Sequence, residues 1–92
     1  MRLLVVEDEK KLCDMIAKSL HQSGYEVDVC NDGEEALDMI YAEMYDLIVL
    51  DLNLPGVDGM EILRELRKED EETKVLILSA RSQIADKIEG LD

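Results

Sequence analysis

The chain has 92 residues, with 10 Lys and Arg against 23 Asp and Glu for a formal charge of −13, and its only aromatics are three tyrosines. That length allows one small domain. The charge repels nucleic acid and anionic lipid, and so few aromatics leave no stacking platform for bases, which argues against direct nucleic-acid binding or membrane attachment by this segment.

The chain opens on an apolar run of five residues, Arg2 to Val6, too short for a signal peptide or a membrane span, and the protein is read as cytoplasmic. Acids follow at Glu7, Asp8 and Glu9. Leu12, Met15, Ile16, Ser19 and Leu20 then recur at helical spacing, predicting a helix from residue 8 to about 22, stopped by Gly24. The alternation from Tyr25 to Cys30 predicts a strand toward a sheet edge. Asp32 and Glu35 have the spacing of a capping box, and Ala36, Leu37, Ile40 and Met44 supply the buried stripe of a second helix. A central strand runs from Asp46 to Leu50, and Pro55-Gly56 turns the chain away. Asp58 and Glu61 repeat the cap pattern before a third helix, with Ile62, Leu63 and Leu66 facing inward and an end near Glu69. Glu69 to Glu72 reads as a solvated loop. Lys74 to Ser79 is a fourth strand, and Ser82 caps a last helix carrying Ile84, Ile88 and Leu91. Cys13 and Cys30 occupy apolar positions without metal-like spacing and read as buried, reduced thiols. Met15, Met39, Met44 and Met60 read as helix packing, and His21, Lys10, Lys11 and Lys87 as solvated surface.

The order βαβαβαβα, with right-handed crossovers, predicts a doubly wound parallel sheet with helices on both faces. Three strands end in polar groups: Glu7 and Asp8 after the first, Asp51 after the third, Ser79 after the fourth. Successive βα units point their strands the same way, so these groups emerge at one edge, where open α/β sheets bind ligands. They share a crevice if the first strand lies beside the third. Carboxylates crowded there repel one another, and a hard divalent cation such as Mg²⁺ relieves the repulsion. A carboxylate beside such an ion can act as a nucleophile toward phosphorus, and Asp51, on a rigid strand end, is a better candidate than Glu7 or Asp8. The competing reading is that acids at strand ends merely cap loops.

V-V-E-D-E after the first strand, L-I-V-L-D-L-N-L-P-G-V-D-G around Asp51 and L-I-L-S-A-R at the fourth strand resemble the receiver domain of bacterial two-component response regulators. The resemblance covers the whole chain and implies a flavodoxin-like fold with strand order 2-1-3-4. It implies that Asp51 accepts a phosphoryl group from a sensor histidine kinase. It further implies that Asp8, Asp51 and the backbone carbonyl of Asn53 bind Mg²⁺, with Glu7 acting mostly through water, and that the Ser79 hydroxyl turns toward the phosphoryl oxygen on activation. The opening M-R-L-L-V-V-E-D-E and the segment I-L-S-A-R are most similar to regulators whose receiver precedes a winged-helix DNA-binding domain.

Receivers have a fifth strand and helix and an invariant lysine at the end of that strand, all beyond Asp92. The expectation is therefore a C-terminally truncated receiver with four of five βα units, its fourth strand's outer edge and part of the face served by the first helix uncovered, which is destabilised as a monomer or completes itself by association. Three other functions fit parts of the pattern. A Mg²⁺-dependent phosphohydrolase would place a second acid where Asn53 stands. Flavin binding would require a phosphate-welcoming loop where Glu7-Asp8-Glu9 stands. A phosphorylation-independent interaction module would keep the fold without the chemistry.

Overall fold

Each apolar run becomes a strand, and each helical repeat between them crosses one face of the sheet. The structure is a computed structural model that describes residues 1–69 and 72–78. In chain order the elements are β1 (Arg2–Val6), α1 (Lys10–Gln22), β2 (Glu26–Cys30), α2 (Gly33–Ala42), β3 (Leu47–Asp51), α3 (Gly59–Glu69) and β4 (Lys74–Leu78). The strands are parallel, in the order β2-β1-β3-β4. The expected last helix, with Ser82, Ile84, Ile88 and Leu91, lies outside the described residues.

Because side chains alternate along a strand, β1 and β3 feed two cores at once. Leu4, Val6, Ile48 and Leu50 meet Ala36 of α2 and Ile62 and Leu66 of α3 on one face. Val5 and Val49 meet Cys13 of α1 on the other. β1 and β3 are thus covered on both sides, which is why their sequences read as unbroken apolar runs. Cys13 and Cys30 are buried free thiols.

The boundaries depart from the sequence reading where side chains compete for backbone groups. α1 starts at Lys10 rather than at residue 8, because the Glu7 carboxylate accepts the Glu9 N–H at 3.0 Å and holds the preceding turn out of the helix. At its other end Gly24 adopts φ +99°, a left-handed conformation that glycine reaches without steric cost, and its N–H donates to the His21 carbonyl. β3 starts at Leu47, since Asp46 is engaged by Arg2 through both its backbone N–H and its carboxylate.

Met44 is a correction. It lies beyond the end of α2 at Ala42 and is 87% exposed, so helical periodicity does not reach it. Tyr45 is buried in its place. Its hydroxyl donates to Asp28 at 2.7 Å, and the Arg2 guanidinium, itself paired with Asp28 and Glu43, lies 5.5 Å from the ring centre. Met15 and Met60 are exposed as well, and Ser19 with them, so packing accounts for Met39 but not for those two methionines.

Candidate phosphoacceptor and cation site

At the carboxyl edge of the sheet, β1 and β3 are neighbours in register, with Val6 opposite Leu50. The residues that follow each strand end therefore meet. Glu7, Asp8 and Asp51 each offer one carboxylate oxygen to a cluster whose atoms all lie within 4.8 Å of one another. Asp51 is 0% exposed and Glu7 1%, whereas Asp8 faces solvent.

The two buried carboxylates are only half satisfied. Asp51 Oδ1 accepts the Asn53 N–H at 3.0 Å, and Glu7 Oε2 accepts the Glu9 N–H, but Asp51 Oδ2 and Glu7 Oε1 have no hydrogen-bond partner. Buried acceptors without donors are costly, and in native proteins they call for an explanation such as an ion. Burial, with Asp8 and Asp51 nearby and only the Glu9 N–H opposing, pushes the Glu7 carboxyl up to about 7. An all-oxygen donor set of this kind suits a hard divalent cation better than a soft one.

Asn53 is exposed, and its backbone N–H donates to Asp51 in an Asx-type turn in which Asp51 is the Asx residue and Asn53 contributes only its main chain. Ser79 lies outside the described residues. Its chain neighbour Leu78 is paired with Asp51 in the β3–β4 register, and the Leu52 N–H donates to the Leu78 carbonyl. Sequence reasoning missed Asn31, whose side-chain amide donates to the Glu7 carbonyl at 2.8 Å. The local signal for it is no more than a polar residue directly after β2, next to the Asp32 cap of α2.

The family model for the response regulator receiver domain matches residues 3–92. This chain belongs to that family. Receiver domains are the phosphoacceptors of phosphotransfer signalling, and the doubly wound sheet with its acidic edge is the receiver architecture. Among curated relatives, the transcriptional regulatory protein TctD of Salmonella typhimurium is 46% identical over the whole receiver chain, which spans 41% of its length. Among solved structures, the response regulator TrrA of Thermotoga maritima in complex with Mg²⁺-BeF superimposes with a TM-score of 0.83 at 36% identity, covering 98% of this receiver and 78% of that chain. A complex of the histidine kinase ThkA with TrrA matches with a TM-score of 0.80 at 40% identity, covering 88% and 70%. No helix among the described residues of this receiver is long and apolar enough to cross a membrane.

Proposed function

We propose that this receiver is a phosphorylation-dependent switch in which Asp51 takes a phosphoryl group from a sensor histidine kinase. The observation that carries the reading is the buried Asp51 carboxyl, with one oxygen free of partners, gathered at a strand end with Glu7 and Asp8. The kinase complex of TrrA supports the donor, and its Mg²⁺-BeF complex supports the cation, beryllium fluoride being a stand-in for a phosphoryl group.

In this reading Asp8, Asp51 and the backbone carbonyl of Asn53 would hold Mg²⁺, with Glu7 acting mostly through water, and a bound ion would supply positive charge against the carboxylates and phosphoryl oxygens. An Asp51 carboxylate oxygen attacks the phosphorus of a phosphohistidine. The new O–P bond forms as the P–N bond breaks, its electron pair returning to the imidazole nitrogen, and the product is a mixed anhydride on Asp51. The Asn53 N–H fixes the other carboxylate oxygen throughout. Ser79 supplies the hydroxyl that turns toward the phosphoryl group, coupling the added charge to the end of β4. Beyond transfer from the kinase, the chemistry extends at most to self-phosphorylation from small donors and slow self-dephosphorylation, Asn53 standing where the general acid of a phosphohydrolase would be needed.

The chain spans less than half the length of the regulators it resembles, and we place it as the receiver part of a longer cytoplasmic transcription regulator whose separate effector domain contacts DNA. Intact mass after incubation with acetyl phosphate tests the reading. A Mg²⁺-dependent phosphoryl adduct, absent from Asp51→Asn, is the expected result. An adduct of equal yield in Asp51→Asn contradicts it.

A further inference from the structure

The groups assigned to the cation come from two segments far apart in sequence: the turn after β1, with Glu7 and Asp8, and the loop after β3, with Asp51 and Asn53. A third segment, Asn31 and Asp32 between β2 and α2 with Gly33 at the start of α2, supplies none of those groups and yet is bonded to both.

Toward β1, the Asn31 side-chain amide donates to the Glu7 carbonyl at 2.8 Å, while the Glu7 N–H donates to the Cys30 carbonyl at 3.0 Å. Glu7 is thus pinned through both its backbone groups by consecutive residues at the end of β2. Toward β3, the Gly33 N–H donates to the Pro55 carbonyl at 3.3 Å. The approach there is so close that a Cβ on Gly33 would collide with the Val57 carbonyl oxygen and lie 2.9 Å from the Val57 Cβ. The segment is itself anchored. Asp32 Oδ1 accepts the Glu35 N–H at 2.8 Å, and the Asp32 carbonyl accepts the N–H of Ala36, which is fully buried.

We propose that Asn31 and Gly33 are positioning residues for the cation site, the β2–α2 loop acting as a strut that sets the spacing between the acids after β1 and the Asp51 loop. The inference rests on the reading of the crevice as a Mg²⁺-dependent phosphoacceptor site. Mg²⁺ demands near-ideal octahedral geometry with short oxygen distances, so small displacements of a donor weaken it, whereas apolar packing tolerates them far better. Removing the Asn31 amide frees the Glu7 carbonyl and lets the turn carrying Asp8 shift. Loss of an outer hydrogen bond at a metal site costs about 10- to 100-fold in affinity. Asn31 acts through the backbone and belongs at the lower end of that range.

Calorimetric titration with Mg²⁺ of the native chain, Asn31→Ala, Asn31→Asp and Asp51→Ala tests this, with a thermal melt of each protein recorded without Mg²⁺. Asn31→Asp has the native shape but no donor, and serves where the alanine variant does not fold. It also adds negative charge near the crevice, which by Coulomb attraction alone would tighten cation binding. Both Asn31 variants are expected to bind Mg²⁺ about tenfold more weakly. Native affinity in either folded variant, whatever its melting temperature, overturns the strut. Asp51→Ala separates the two levels of the argument. If it abolishes binding while an Asn31 variant binds normally, only the strut is lost. If the titration is indifferent to Asp51→Ala, the reading of the site falls and the strut with it.

Discussion

Glu7 is 1% exposed, has one oxygen without a partner and faces two other acids, so its ionisation is coupled to whatever occupies the crevice. Its folded value of about 7 lies above the ordinary value of 4.5. The fold therefore favours the protonated form, and the stability this group contributes is present below the ordinary range and lost as pH rises through about 7. In metal-free buffer the melting temperature is expected to fall across that interval, and Mg²⁺, which favours the carboxylate, is expected to restore it most at the upper end. Glu7→Gln flattens both dependences. Thermal melts across a pH series, with and without Mg²⁺, check this, and parallel curves for the native chain and Glu7→Gln contradict it. The three acids were legible in the sequence because each stands directly after an apolar run or within two residues of one, and parallel strands deliver their ends to one edge. Asn31 was not legible, since its partner Glu7 is 24 residues away and nothing in a local pattern records that distance.

Among the elements, β1, β3 and α3 were the most readable. The two strands are buried on both faces and so read as unbroken apolar runs, while α3 keeps a period near 3.6 in Gly59, Ile62 and Leu66. The ends were less readable because local hydrogen bonds outcompete periodicity there. Glu7 delays α1 by capturing the Glu9 N–H, and α2 stops at Ala42, which strands Met44 outside and turns Tyr45 inward to Asp28. The start of α2 was legible, since Asp32 does cap it. Asp32→Ala removes that acceptor at a helix N-terminus and is expected to cost about 1 kcal/mol. Urea denaturation measures it as a lower midpoint with an unchanged slope, and an unchanged midpoint contradicts the role of the cap.

At the scale of the whole molecule, the described helices cover the two faces of the sheet unequally. α2 and α3 cover one face, while on the other α1 lies over β1 and β2. Leu76 of β4, opposite Val49 on the α1 side, is 53% exposed, and among the described residues β4 pairs only with β3. Exposed apolar surface promotes association, while a charge of −13 opposes it. Sedimentation equilibrium is expected to show a mass that rises with protein concentration, more steeply at high salt, and Leu76→Lys is expected to hold the chain monomeric. A concentration-independent monomer mass at high salt contradicts this.

The central claim, that one buried carboxylate at the end of β3 is the phosphoryl acceptor, is tested most directly by chemical trapping. The chain is incubated with acetyl phosphate and Mg²⁺, reduced with borohydride and mapped by peptide mass spectrometry. Reduction of an aspartyl phosphate leaves homoserine, and the account predicts it at position 51 only when both donor and Mg²⁺ are present. A reduced residue at Asp8, at Glu7 or elsewhere, with Asp51 intact, would contradict it.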